Sequence, residues 1–235
     1  MLLVTPVAVI LPGAGSSADF VARAFGKALH EAGYGLVTPS PEPGPGVVDA
    51  ALRALDEAAA EHGPALRLVG GVSLGAHLAA RWAAAGARVE LAGLLLVLPA
   101  WTGRPGTVAG ATAASADMID RLGTDGALAA AGTAVPWVAA ELAAAWPGYG
   151  DELAASLRAA AAAPGPVRAE LAGLRVPAGL VAFADDPLHP YDVAREWAAT
   201  VPRSTLRTLH LADVAADPSI LGTEALAALT AAGGS

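Results

Sequence analysis

Short apolar runs alternate along this chain with longer segments in which apolar residues recur at helical spacing. The runs predict strands at 7–11, 35–38, 66–72, 91–98, 178–183 and 206–211. The longer segments predict helices at 19–32, 47–60, 74–85, 191–199 and 220–232. Nearly continuous apolar strands separated by helices are typical of a parallel sheet covered on both faces. The pattern therefore predicts an α/β protein with about six strands.

The alternation stops between Pro99 and about Leu174, where Ala-rich helical stretches replace strands. An insertion of this kind between two strands predicts a helical cap. We therefore expect one domain over residues 1–235, with a cap insertion at about 99–174. Trp101, Trp137 and Trp146 are candidates for lining a substrate pocket, although filling the interface between cap and sheet would need the same residue type.

Composition and charge narrow the function classes. The chain is 54% apolar with a mean hydropathy of +0.50, which demands a large buried interior. A net charge of -8 argues against a nucleic-acid partner, because phosphate binding needs a basic face. The chain has no cysteine, which excludes disulfides and Cys-based metal or redox chemistry.

The first eleven residues are apolar, but no Lys or Arg precedes them and Pro12 follows directly. A signal peptide would begin with basic residues, and a membrane span takes about 20 apolar residues. We therefore expect a buried strand here and a soluble, cytoplasmic protein.

One short motif carries candidate chemistry. The segment Gly71–Gly75 fits G-x-S-x-G around Ser73, with a predicted strand before it and a predicted helix after it. This context predicts a nucleophile elbow, in which the serine occupies a strained turn and the glycines let neighbouring backbone approach. A plain serine in a turn is the alternative.

The loop Leu11–Ser17 follows the first predicted strand, and together with the Ser73 elbow it resembles the α/β-hydrolase superfamily. The resemblance implies a three-layer α/β-hydrolase-like fold, with the backbone N–H groups of Ala14 and Leu74 forming an oxyanion hole. Such donors are commonly worth about 3–4 kcal/mol each in acyl transfer. Pro12 stands where the family usually has histidine.

The same loop also matches the dinucleotide fingerprint G-x-G-x-x-G/A over residues 13–18. That interpretation needs an acidic residue at the end of the next strand, where Val37 is followed by Thr38, and no acid comes before Glu42. It also leaves Ser73 unexplained, so a Rossmann-like protein is a remote alternative.

The segment Phe183–Pro190 follows another predicted strand and resembles the acid loop of the same family, which reads Asp-Pro-x-x-Pro. The resemblance implies that Asp186, just before Pro187, is the acid of a catalytic triad. The alternative is that Asp-Pro starts a turn and caps the next helix.

The general base is the weakest match. The family carries its histidine after the last strand, and that position falls near Val214 here, which cannot accept a proton. His210 comes about four residues earlier and serves only if the loop is shortened. His189 is the other candidate, although Asp186, three residues before it, would be poorly placed to orient it. His77 is expected to be a packing residue.

The leading hypothesis is a serine hydrolase, an esterase or thioesterase, acting on a small-molecule ester or thioester with an apolar part. In it, Ser73 attacks, His210 (or His189) takes the proton and Asp186 orients the histidine. The alternative is a hydrolase-fold binding protein that lacks an effective base. No metal or organic cofactor is expected, since no His/Asp/Glu spacing supports a metal site, and the sequence leaves the oligomeric state open.

Overall fold

Six parallel strands form one sheet at the centre of the part of the protein described by the computed structural model, which covers residues 5–87, 89–130 and 135–233. The strands are β1 (Val7–Leu11), β2 (Gly35–Val37), β3 (Leu66–Val72), β4 (Gly93–Val97), β5 (Ala178–Phe183) and β6 (Ser204–Leu209). Their order across the sheet is β2-β1-β3-β4-β5-β6, and every neighbouring pair is parallel. The predicted α/β class and strand number are confirmed.

The helices surround this sheet, and the predicted ones are confirmed to within a few residues. They are α1 (Ala18–Glu31), α2 (Val47–His62), α3 (Leu74–Ala84), α4 (Thr107–Ala130), α5 (Pro136–Ala145), α6 (Leu153–Ala162), α7 (Arg168–Gly173), α8 (Tyr191–Thr200), α9 (Leu211–Ala216) and α10 (Ile220–Gly233). Short 3₁₀ helices cover Gly63–Ala65 and Trp146–Glu152. None of the helices in the described ranges is both long and apolar enough to cross a membrane.

Both faces of the sheet are buried, as the sequence pattern predicts. In β4, Leu94 and Leu96 pack in one apolar cluster, while Leu95 and Val97 pack in another on the opposite face. This alternation follows from the two-residue period of a strand. Helices α2, α3 and α8 cover the first face, and α1 and α10 cover the second.

The segment between β4 and β5 contains α4 to α7 and no strand in its described residues. This agrees with the predicted helical insertion, whereas the division into one domain with a cap stays a prediction. Helix α4 packs along α6, and Trp146, Leu153 and Leu157 form an apolar cluster that reaches Ala14. The insertion therefore lies over the loop that follows β1.

The last strand and the helix after it differ from the prediction. Strand β6 ends at Leu209 rather than residue 211, and α9 begins at Leu211, where no helix was predicted. Two carboxylates explain this start: Asp213 accepts a hydrogen bond from the His210 N–H at 2.7 Å, and Asp185 accepts one from the Leu211 N–H at 2.9 Å. Both satisfy backbone donors at the helix N-terminus.

The strand order sets where a site can form. The chain passes from β1 to β2 on one side and then from β3 onward on the other, so the order reverses between β1 and β3. In open parallel sheets, ligands bind beyond the carboxyl ends of the strands at such a reversal. The loops that contain Ala14 and Ser73 both leave the sheet at this point.

Candidate active site

Ser73 occupies a strained turn between β3 and α3. Its φ of 54° and ψ of −113° lie outside the regions that non-glycine residues favour, and its N–H donates a hydrogen bond to the Val97 carbonyl oxygen at 2.8 Å. A Cβ at Gly71 would lie 2.6 Å from the carbonyl oxygen of Gly75, and a Cβ at Gly75 would lie 2.7 Å from that of Pro12. The turn therefore needs both glycines of the motif, as the sequence predicts.

A hydrogen-bonded series joins Ser73 to His189 and Asp186. The His189 Nε2 lies 2.9 Å from the Ser73 Oγ, and the His189 Nδ1 lies 2.6 Å from the Asp186 Oδ2. An ionised carboxylate only accepts, so the imidazole proton is assigned to Nδ1 and Nε2 is free to accept from the Ser73 hydroxyl. The arrangement can pass the serine proton to the imidazole.

Asp186 is held in its ionised form. Burial would raise the pKa of Asp186, but the His189 side chain and the N–H groups of Leu188 and His189 outweigh burial and lower that pKa. The Leu188 N–H donates to the Asp186 Oδ1 at 2.7 Å, so the carboxylate is tied into the turn that leads to His189. The expectation that Asp186 would be poorly placed to orient His189 is therefore wrong.

His210, the other predicted base, is not brought to Ser73. Its side chain is 64% exposed, and its Nδ1 lies 3.5 Å from the Asp185 Oδ2. Val214, at the position where the family carries its base, is buried in the core. Of the two candidate histidines, the structure brings His189 to the serine and leaves His210 at the surface.

The two predicted oxyanion donors flank the serine. Leu74 is the first residue of α3, and a Cβ at Gly13 would lie only 3.5 Å from the Ser73 Cβ, so the loop that contains Ala14 packs against the elbow. Among the described residues, neither the Ala14 N–H nor the Leu74 N–H donates to a protein acceptor. Both residues line the same cavity as Ser73. Two free backbone donors beside a nucleophile can bind an oxyanion.

Tyr149 of the insertion fixes the oxyanion loop. Its hydroxyl donates to the Ser16 carbonyl oxygen at 2.8 Å. Burial raises the pKa of Tyr149, so the phenol stays protonated and keeps this hydrogen bond. The sequence gives no signal for this contact, because it joins residues 133 positions apart.

A cavity of about 430 Å³ opens beside Ser73 and His189, within the size range of small-molecule sites. Its wall contains all three predicted tryptophans, Trp101, Trp137 and Trp146, and is otherwise mostly aliphatic. Sequence reasoning missed other members of the wall, among them Phe20, Phe183, Leu188, Leu98 and Glu141. Phe183 is the last residue of β5, and ligand sites form beyond the carboxyl ends of parallel strands, so its position in the sequence could have identified it as a lining residue.

Trp137 lines the cavity and also packs between the insertion and the sheet. Its Nε1–H donates to the Leu211 carbonyl oxygen at 3.0 Å, and its ring lies 6.3 Å from that of Phe20 and 6.5 Å from that of Phe183. These contacts fasten α5 to the main body while the ring faces the cavity. Pocket lining and interface packing are therefore not exclusive at this residue.

His77 is a packing residue, as expected from its place one turn after Ser73. Burial, with smaller effects from His189 and Arg81, lowers the pKa of His77 to about 3. Its Nε2 accepts from the N–H groups of Ala100 at 2.9 Å and Trp101 at 3.4 Å. Neutral His77 thus fixes the chain at Ala100 and Trp101, where the insertion begins, and Trp101 in turn lines the cavity.

The structure disfavours the dinucleotide alternative. The second glycine of such a fingerprint lets the backbone approach a pyrophosphate, and that glycine is Gly15 here. A Cβ on Gly15 would lie 3.1 Å from the Trp146 Nε1 and 3.2 Å from a methyl of Leu157, so the insertion covers this face. Glu42, the nearest downstream acid, pairs with Arg53 at 3.2 Å.

The described ranges contain no group of three or more His, Asp or Glu side chains arranged to hold a metal ion. Along the sequence, the segment that comes nearest to a metal-binding combination contains Asp185, Asp186, His189 and Asp192. In the structure, Asp185 faces His210, Asp186 faces His189, and Asp192 pairs with Arg195.

Comparison with known proteins gives matches in structure only. No protein-family model matches the chain, and no curated protein matches its sequence. The enol-lactonase from Burkholderia xenovorans LB400 is 17% identical with a TM-score of 0.73, over 94% of this chain and 90% of that one. MGS-M2, an alpha/beta hydrolase enzyme from a Medee basin deep-sea metagenome library, is 15% identical with a TM-score of 0.71, over 97% and 90%. A thermophilic esterase from Thermogutta terrifontis is 18% identical with a TM-score of 0.68, over 94% and 88%. At these identities the likeness concerns the fold.

Proposed function

We propose that this chain, which has the α/β-hydrolase fold, is a serine hydrolase that cleaves an ester or thioester with an apolar part. One observation carries the proposal: Asp186, His189 and Ser73 form a continuous hydrogen-bonded series beside an apolar cavity. The structural neighbours that are named as an enol-lactonase and an esterase add support.

In the first half of the reaction, the Ser73 Oγ attacks the substrate carbonyl carbon while the His189 Nε2 takes the hydroxyl proton. Asp186 stabilises the resulting imidazolium. The electron pair of the carbonyl double bond moves onto oxygen, and the N–H groups of Ala14 and Leu74 bind that oxyanion.

In the second half, the tetrahedral intermediate collapses and its bond to the alcohol or thiol breaks. His189 gives its proton to the departing oxygen or sulfur. Water then attacks the acyl-serine ester, with His189 as base, and releases the carboxylic acid and free Ser73.

The alternative, a binding protein without a base, was motivated by the apolar residue at Val214. The position of His189 removes that motivation, since an imidazole paired with a carboxylate lies within hydrogen-bond distance of the serine. Turnover is nevertheless the property that separates the two functions.

The test is labelling by a fluorophosphonate probe, combined with hydrolysis of p-nitrophenyl esters. Wild-type protein and Ser40→Ala, which removes an exposed serine on the loop after β2, are expected to label and to turn over. Ser73→Ala is expected to do neither. If the wild-type protein is labelled no more strongly than Ser73→Ala, the proposal is overturned and the binding-protein alternative is favoured.

A further inference from the structure

Charge is sparse on the cavity wall. Among the described residues that line it, the charged or titratable side chains are Asp186, His189 and Glu141, and no Lys or Arg is present. Residues 131–134, which directly precede the lining residue Val135, are Ala, Gly, Thr and Ala in the sequence and add no charge. Asp186 and His189 already bind one another. Glu141 is therefore the charge that an incoming substrate meets away from the reacting groups.

Glu141 has its counter-ion outside the cavity. It projects from α5 and forms an ion pair with Arg23 of α1. The Arg23 side chain is 49% exposed and does not line the cavity, whereas that of Glu141 is 24% exposed and does. Glu141 thus contributes an acidic side chain to a mostly apolar wall, and its partner Arg23 lies outside that wall.

We infer that this cavity selects substrates whose enclosed part is uncharged, and that Glu141 weakens the binding of substrates that carry a carboxylate there. This inference deepens the proposed hydrolase function and rests on it. A carboxylate that enters an apolar cavity loses its water and needs a cation, which the described wall does not supply. The Glu141 carboxylate adds repulsion towards a second carboxylate at short range. A neutral acyl chain meets neither penalty.

The discriminating substrates are a matched pair, p-nitrophenyl hexanoate and mono-p-nitrophenyl adipate, compared at pH 8. They share a six-carbon chain and leaving group and differ by the terminal carboxylate. We expect the wild-type kcat/KM to be at least about tenfold lower for the adipate monoester, the equivalent of about 1.4 kcal/mol. Equal values for the two esters would contradict the inference.

Glu141→Gln tests the role of the wall carboxylate. We expect the ratio of the two kcat/KM values to narrow by about threefold or more, because Arg23 then remains without its partner. Glu61→Gln is the matched control, since it changes the net charge equally at an exposed residue on α2 and should leave the ratio unchanged. A ratio that responds equally to both variants would mean that overall charge, and not Glu141, sets the preference.

Binding to Ser73→Ala separates the selectivity from the chemistry. Tryptophan fluorescence, with Trp101, Trp137 and Trp146 in the wall, reports binding of methyl hexanoate against monomethyl adipate without turnover. Tighter binding of methyl hexanoate supports the inference, and equal or tighter binding of monomethyl adipate overturns it. Failure of the hydrolase proposal has a different signature, in which wild-type protein cleaves neither ester and takes up no fluorophosphonate.

Discussion

The His189 Nε2 lies 2.9 Å from the Ser73 Oγ, although the two residues are 116 positions apart. Ser73 follows β3 and His189 follows β5, with β4 between them in the sheet. Parallel strands bring their carboxyl ends to one edge, which is why two distant loops meet there. The loop after β5 supplies both Asp186 and His189, the candidate acid and the candidate base, three residues apart.

The first prediction separates the two candidate bases. His189→Gln is expected to lower kcat/KM for p-nitrophenyl esters by about 10³–10⁵-fold, because Ser73 loses its proton acceptor. His210→Gln is the matched control and should stay within about threefold of wild type, since His210 faces Asp185 at the surface. The opposite order of effects in steady-state kinetics would assign the base to His210.

The second prediction concerns the close backbone contact at the elbow. Gly75→Ala is expected to lower the free energy of unfolding by about 3 kcal/mol or more, because a Cβ there would overlap the carbonyl groups of Leu11 and Pro12. The comparison is urea unfolding against Gly110→Ala on α4.

A Cβ at Gly110 would meet no heavy atom within 4 Å. Gly110→Ala should therefore leave stability unchanged or raise it by up to about 1 kcal/mol, the helix propensity difference between the two residues. Equal unfolding curves for the two variants would show that the elbow tolerates a side chain.

The parts that could be predicted from the sequence are those set by local periodicity and close packing. The continuous apolar run around β4 predicts a strand that is buried on both faces, and the glycines around Ser73 predict a turn with close backbone contacts, so strand and elbow both follow from the local sequence. The turn from Asp186 to His189 has no periodic signal. It depends on side chains that bond their own loop, with the Leu188 N–H on one carboxylate oxygen and the His189 Nδ1 on the other.

The end of β6 was misplaced for a similar reason. Residues 206–211 are mostly apolar or β-compatible, and nothing in that run indicates where the strand stops. The boundary depends on Asp213, close in sequence, and on Asp185, which accepts from the Leu211 N–H across 26 positions. A contact of that range is invisible to pattern analysis, and it helps to place His210 directly before helix α9 and not inside the strand.

The third prediction distinguishes the cavity role of Trp137 from its structural role. Trp137→Phe is expected to lower the free energy of unfolding by about 1 kcal/mol, because the Leu211 carbonyl oxygen loses its hydrogen-bond donor. Because Trp137 also lines the cavity, the same variant is expected to change the dependence of kcat/KM on chain length in a series of p-nitrophenyl esters. Trp82→Phe removes a hydrogen bond from Nε1 to Asp56 at 2.8 Å, and neither of these residues is among the described residues that line the cavity. It should alter stability alone, and a matching change in the chain-length profile would argue against a cavity role for Trp137.

The last prediction follows from the burial of His77, whose pKa falls to about 3 from an ordinary value of 6.5. Between these two values the unfolded chain binds a proton that the folded protein does not bind, so lowering the pH favours unfolding. This contribution is fully present above pH 6.5 and is lost by about 1.4 kcal/mol for each unit below it, or about 2 kcal/mol by pH 5. Asp186 also has a lowered pKa, but its contribution is lost only below its ordinary value of 3.8, outside this window.

Urea unfolding at pH 7 and pH 5 measures the effect. His77→Gln keeps an acceptor for the Ala100 N–H and removes the titrating imidazole, so its stability should fall less between the two pH values than that of wild type. His30→Gln, at the exposed end of α1, should retain the wild-type loss. If His77→Gln does not fold, NMR of the wild-type protein supplies the same information, because the His77 imidazole should not titrate between pH 7 and pH 4. A midpoint near pH 6 would mean that the ring is reached by water and that the chain at Ala100 and Trp101 is not fixed by a neutral His77.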